Sequence, residues 1–396
     1  MQGKSISAVL ATSFPIHTRL QEGIDKWQKL MPGPLLRAAL LNTDGIGVDV
    51  QALQDNIDVN DPIQRQVLPQ LHANMANHLP DGITKAIKMI RLESLVRNST
   101  YLSELPLLAC CLKQAGIQVL ALKGAALAPT HYRDIGCRPL SDLDILVPEK
   151  KLQEAINILT ASGWQADNLK PEKNYYAGCR FNHAFSFVHP DKLVQLDLHG
   201  HCNHSALWPD ADKLFWERAV PLAQYEGVLR LCDTDNLVQV CNHGIAQNHA
   251  SPVRWAMDAY HIIDDDNIDW DLLVENANRT FIAPQLLAAF IWLQQELHVA
   301  IPPHVLSELG NASYNSHGLK AWSYRLELPT GVSEILHSHW QKMMLSTKNT
   351  SMTETVRLMP EYLKTWSNQK NLLAVATAML MKFWEIVARR RHSDKQ

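Results

Sequence analysis

Apolar positions along this chain follow helical spacing, then strand spacing, then helical spacing again. Leu20, Ile24, Trp27 and Leu30-Met31 recur at helical intervals, and Pro32-Gly-Pro34 ends that segment. Leu35–Leu41 predicts a short helix, and a turn cluster follows at Asn42-Thr-Asp-Gly. Ile63–His78 and Ile83–Leu112 predict two longer helices, the second broken near Asn98-Ser-Thr100 or at Pro106 and carrying Cys110-Cys111 as buried helix residues, not a redox pair. From Gly116 the texture changes. Ile117–Leu122 predicts a buried strand that ends at Lys123-Gly124, with a helix over Ala125–His131. Pro139–Val147 predicts a second strand. Glu149–Ser162 predicts a helix with Leu152, Ala155, Ile156 and Leu159 on one face. Phe181–Val188 and Leu193–His199 predict antiparallel strands joined by a turn-rich loop. From about residue 210 the pattern reads as helical to the end, including Asp233–Ala246, Trp255–Ile263, Pro284–Leu297, Pro303–Leu309, Gly331–Met344 and Met352–Trp366.

Strand alternation gives the polar residues of the middle region a direction. Asp142 and Asp144 fall on one face of their strand, with Leu143 and Ile145 on the other. Asp197 and His199 share a face of a later strand, opposite Leu196 and Leu198. An unpaired buried carboxylate costs several kcal/mol, roughly, so it is protonated, paired or bound to a cation. Two carboxylates on one face repel, and a divalent cation relieves that repulsion. Oxygen ligands of this kind favour Mg²⁺ or Mn²⁺. Three of them suffice for two ions about 3.5–4 Å apart, an arrangement suited to in-line phosphoryl or nucleotidyl transfer.

Leu122-Lys123-Gly124, Arg138, Asp142-Leu-Asp144-Ile-Leu-Val147, His183 and Asp197-Leu-His199 together resemble the nucleotidyltransferase superfamily that includes DNA polymerase beta. Within it the chain is similar to a bacterial family of uncharacterised nucleotidyltransferases. His243-Gly244, Arg254-Trp255 and Asp258 extend the resemblance, which covers roughly residues 100–275. It implies an α+β fold: a small mixed β-sheet core flanked by N- and C-terminal helical regions. It implies Asp142, Asp144 and Asp197 as catalytic metal ligands, and Lys123, Gly124 and Arg138 as contacts to the triphosphate of an NTP, ATP foremost. Where the superfamily has Gly-Ser or Gly-Gly, Gly124 is followed by Ala125, and the gap to Asp142 is longer.

Each of these residues also has a plainer reading. Lys123 is either a phosphate contact or a solvated strand-end lysine. Arg138 either binds phosphate or pairs with a carboxylate. His183 and His199 are substrate contacts, orienting groups or satisfied structural histidines. The run His199-Gly-His-Cys-Asn-His204 invites a zinc reading, but it lacks a distant pair of ligands at zinc spacing. Asp264-Asp-Asp266 reads as a solvated loop.

Composition narrows the partners. A net charge of −3 supplies no global field for nucleic acid, so a small-molecule or peptide acceptor is expected over a long nucleic acid. Seven cysteines without paired spacing, and an N-terminus without signal-peptide features, lead to an expected cytoplasmic setting. Leu372–Met381 is too short to span a bilayer. The expected division is an N-terminal helical region at 1–100, a nucleotidyltransferase-like core at 101–220 and a C-terminal helical region at 221–396. Three functions remain open: nucleotidyl transfer, kinase-like phosphoryl transfer at the same site, or nucleotide or partner binding without turnover.

Overall fold

The computed structural model describes residues 31–41, 50–166, 182–204, 206–245, 253–313 and 352–367, with isolated positions between 340 and 377. The helix expected around Leu20–Leu30, the turn cluster after Asn42, the Gly331–Met344 helix and the Leu372–Met381 run lie wholly or largely outside the described residues.

The described N-terminal helices are α1 (Gly33–Leu40), α2 (Val50–Asn56), α3 (Leu68–Met75) and α4 (Asp81–Lys113). Strand β1 (Val119–Ala121) and α5 (Lys123–His131) follow, then β2 (Leu143–Leu146), α6 (Leu152–Ala161), β3 (Gln165–Ala166), β4 (Ala184–His189) and β5 (Val194–His199). Next come α7 (Lys213–Glu217), β6 (Val220–Pro221) and β7 (Val228–Arg230). The rest is helical: α8 (Asp233–Ile245), α9 (Arg254–Asp264), α10 (Trp270–Thr280), α11 (Ala283–Leu297), α12 (Pro303–Ser313) and α13 (Met352–Ser367). The fold is α+β.

The seven strands form one mixed sheet in the order β3-β4-β5-β2-β1-β7-β6. Alternation sorts its side chains as the sequence predicts. Val119 and Ala121, Leu143 and Ile145, and Val194, Leu196 and Leu198 face one side. There they pack on the C-terminal half of α4, through Leu105, Leu108 and Leu112, and on α6, through Leu152, Ala155, Ile156 and Leu159. Full burial of such a side chain is worth about 1.5–3 kcal/mol, so this layer fixes which face of each strand turns inward. Leu120, Leu122 and Leu146 take the other side with Phe215 and Leu231. The residues that alternate with the first set, Asp144, Asp197 and His199, therefore share that other side.

Three sequence expectations are corrected. The chain does not become wholly helical at 210, because β7 pairs in parallel with β1, Val119 opposite Val228 and Ala121 opposite Arg230. A three-residue strand is too short to display an alternation. Helix α4 is unbroken at Asn98 and runs through Pro106. Asn98 is buried and serves a distant loop: its side chain donates to the carbonyls of Ile135 and Arg138 and accepts from the Leu140 amide. Finally, Cys110 is exposed and Cys111 half-buried, where the helix pattern suggested two buried thiols.

The N- and C-terminal helices pack together in one core. Leu36, Leu71 and Met75 belong to the same apolar cluster as Leu286, Phe290 and Trp292 of α11. Arg37 of α1 pairs with Glu296 of α11 at 2.8 Å. Among the described residues, no helix is long and apolar enough to cross a membrane.

Candidate active site

The site starts from strand register. Strands β2 and β5 are parallel neighbours with Asp144 directly opposite Asp197. Both side chains leave the same face, so the two carboxylates stand side by side on adjacent strands. Strand β4 pairs with the far edge of β5 and sets Ser186 opposite Asp197, where its hydroxyl donates to Asp197 Oδ1 at 2.7 Å. On the other flank the Leu122 amide donates to the Asp144 carbonyl at 3.0 Å. That bond places the next residue, Lys123, beside the carboxylate. Lys123 Nζ donates to Asp144 Oδ1 at 2.5 Å, from a backbone held at φ +45°.

His199 Nε2 lies 2.9 Å from the same oxygen. Burial alone would push the Asp144 carboxyl up, but Lys123 and His199 overcome it and hold the group well below the usual carboxylate range. Asp142 precedes β2 instead of lying within it, and is half-buried at the mouth of the cleft. Ser141 donates to it at 3.0 Å. Burial, followed by the charges of Asp144 and Asp197, raises its carboxyl above the ordinary value, with Lys123 opposing. Asp144, Asp197 and His199 each present one ligand atom within 4.8 Å of the others. Three acidic side chains whose charges crowd together, with an imidazole beside them, are a donor set that fits a divalent cation.

The opposite wall comes from α8 and α9. Lys123, Arg138, Ser141, Asp142 and Asp144 line one cleft with His243 and Gly244 of α8 and Arg254, Trp255 and Asp258 of α9. A methyl group at Gly244 would lie 2.1 Å from Trp255 Cβ, so only glycine lets the two helices approach this closely. The approach brings His243 and Arg254 to the cleft. Burial, reinforced by Lys123, pushes the His243 imidazole down to about 3, so it is neutral at ordinary pH. Arg254 reaches Ser141 at 3.2 Å.

Arg138 is anchored. Its Nε and Nη2 donate to the two oxygens of Asp258 at 3.1 and 2.7 Å, and Tyr132 donates to Asp258 Oδ1 at 2.6 Å. The guanidinium lies over Gly124, where an added methyl group would meet Arg138 Nη1 at 2.1 Å. Gly124 thus makes room for Arg138, and Arg138 ties the loop before β2 to α9. His183 does not enter the carboxylate cluster; its ring packs edge-on to His199 at 5.3 Å. His201 lies 3.2 Å from Asp212, and His204 packs edge-on to the His183 ring at 6.0 Å.

Most of the expected site residues are therefore brought together: Asp142, Asp144, Asp197, His199, Lys123 and Arg138. Sequence reading missed the Lys123–Asp144 pair and the partnership of Arg138 with Asp258, residues far apart in the chain. The sign of a second wall in the sequence was the extension of the resemblance to His243-Gly244, Arg254-Trp255 and Asp258.

A mixed sheet with register-matched carboxylates, closed by a helical wall that carries Arg254, makes a cleft whose donor set fits a divalent cation. The family model for uncharacterised nucleotidyltransferases matches residues 63–297, more than half of the chain, and the chain belongs to that family. The match runs beyond both ends of the 100–275 span, from just before α3 to the end of α11, so it takes in the part of the shared helical core that follows α2 as well as the sheet. No curated protein and no solved structure matches the chain.

Proposed function

We propose that this chain transfers a nucleoside monophosphate from an NTP, ATP foremost, to a small-molecule or peptide acceptor, with Mg²⁺ or Mn²⁺ as cofactor, on a core of the DNA polymerase beta-like superfamily. The observation that carries the reading is the register match of Asp144 with Asp197, with Asp142 two residues earlier at the cleft mouth. Nothing in apolar packing calls for carboxylates at matched positions on neighbouring strands.

Asp142, Asp144 and Asp197 would hold the cations. A bound Mg²⁺ or Mn²⁺ would supply Lewis-acid charge at the phosphate oxygens and ease deprotonation of the acceptor hydroxyl. Asp197 accepts from Ser186 through one oxygen, which leaves the other to assist that proton's removal. Lys123 and Arg254, with the anchored Arg138, form the cationic side that receives the triphosphate, and Gly124 keeps Arg138 close to the cleft. Neutral His243 can accept a hydrogen bond there without adding charge. The half-buried, partly apolar helical wall favours a compact acceptor over a long nucleic acid. The cytoplasmic setting is proposed on cysteine usage alone.

The test is ATP labelled at the α- or the γ-phosphate, incubated with divalent cation and an acceptor panel. Nucleotidyl transfer releases pyrophosphate and leaves the α-label on the acceptor. Release of ADP with the γ-label on the acceptor means kinase-like transfer instead. Nucleotide binding with neither product means a binding module.

A further inference from the structure

His199 closes the carboxylate pair from the side, with its two ring nitrogens turned to different partners. Its Nδ1 faces the His201 carbonyl at a long 3.4 Å, and its Nε2 lies 2.9 Å from Asp144 Oδ1. With no cation between them, Nε2 can donate to that carboxylate; a cation seated between the carboxylates would take the Nε2 lone pair in place of that proton. Metal-binding histidines are arranged in this way: the far nitrogen donates to a carbonyl, which orients the near nitrogen toward the ion.

The rest of the surroundings agree. His199 is 1% exposed and cannot swing out to water. The His183 ring packs against its edge. Ser186 occupies Oδ1 of Asp197 and leaves Oδ2. One ligand atom each from Asp144, Asp197 and His199 falls within 4.8 Å of the others, a spread that small side-chain rotations close around one ion.

We propose that the cation centre is a two-carboxylate, one-histidine site, Asp144, Asp197 and His199, which takes a first-row transition ion in preference to Mg²⁺. This rests on the reading above that the carboxylates hold a cation, and it adds the nitrogen ligand and the choice of metal. Mg²⁺ is a hard ion that demands oxygen ligands in near-octahedral array. An imidazole nitrogen gains affinity along the first-row series, where Mn²⁺ is the weakest member and so the most stringent probe.

The experiment is electron spin-echo spectroscopy of the full chain loaded with Mn²⁺, with and without a non-hydrolysable ATP analogue. The expected result is a ¹⁴N coupling of directly bound imidazole that moves to ¹⁵N frequencies in a ¹⁵N-histidine-labelled chain. His199→Gln should lose the coupling and reduce the Mn²⁺-over-Mg²⁺ preference by about tenfold in a competition titration. His183→Ala should keep the coupling. The labelled wild-type protein decides the matter even if His199→Gln does not fold. Mn²⁺ that binds through Asp144 without a histidine coupling, or a coupling that survives His199→Gln, overturns the nitrogen ligand and leaves the proposed function standing. No Mn²⁺ binding to the wild type, with or without the nucleotide analogue, overturns both.

Discussion

Asp144 serves two masters at one oxygen. It is the innermost carboxylate of the site, and it is also the partner of Lys123, whose side chain is only 15% exposed. Asp144→Asn should therefore lose at least about 10²-fold in turnover, because ligand charge is removed. It should also lower stability by up to roughly 3–5 kcal/mol, because a buried ammonium loses its counter-charge. Steady-state kinetics and urea unfolding of the same preparation check both. Asp142 behaves oppositely. Its carboxyl is raised by burial first and then by its acidic neighbours, so the folded chain binds its proton more tightly than the unfolded chain. Stability then falls as pH rises through that range. Asp142→Asn should lose turnover yet melt at or above wild type at pH 7 in EDTA. The gain should vanish in acid, below the unfolded carboxyl value of about 3.9. A lower melting point for Asp142→Asn at pH 7 would contradict this account of the charge cluster. The carboxylates were legible in the sequence because a polar residue inside an apolar strand is conspicuous on its own. The partner of Arg138 was not, because Asp258 lies 120 residues away and only the folded chain joins them.

At the scale of elements, the two walls of the cleft differ in how openly the sequence displays them. Strands β2 and β5 alternate apolar and polar residues, so the face carrying Asp144 and Asp197 followed from a period of two. Strands β6 and β7 are too short to show any period, and the parallel pairing of β7 with β1 depends on register alone. Asn98 resembles a helix breaker because its hydrogen-bond partners are backbone groups about forty residues onward. The α8–α9 crossing likewise depends on a contact, Gly244 against Trp255, that no periodicity reports. Gly244→Ala should force the helices apart or strain Trp255, at a cost of about 1–3 kcal/mol. Because His243 and Arg254 ride on these helices, kcat/KM should fall as well. Thermal melting and kinetics test the two effects. Unchanged values in both would show that the crossing does not hold the wall in place.

For the whole molecule, the N- and C-terminal helices act as one body that presents this wall to the sheet. His131, at the end of α5, bonds Asp265 just past the end of α9 at 2.5 Å and lies 3.3 Å from Asp233 at the start of α8. Burial would lower its imidazole, but the two carboxylates overcome that and raise it above the ordinary value. A raised histidine contributes stability that is fully present below about pH 6.5 and is lost as pH rises through the folded value. The stability advantage of wild type over His131→Gln should therefore be largest near pH 6 and shrink toward alkaline pH; an advantage that grows with pH would contradict it. Cation binding acts on the same global equilibrium, since a ligand that binds only the folded state stabilises it by mass action. That linkage exposes the central claim without any need to know the acceptor. The measurement is a melting series of wild type and Asp197→Ala in EDTA, and again with Mn²⁺ or Mg²⁺ plus nucleotide. In EDTA, Asp197→Ala should melt no lower than wild type, because one of three crowded carboxylates is gone. With cation and nucleotide, wild type should gain substantially and Asp197→Ala much less. Equal gains in the two proteins would contradict the assignment of Asp197, opposite Asp144, to a cation-dependent transfer site.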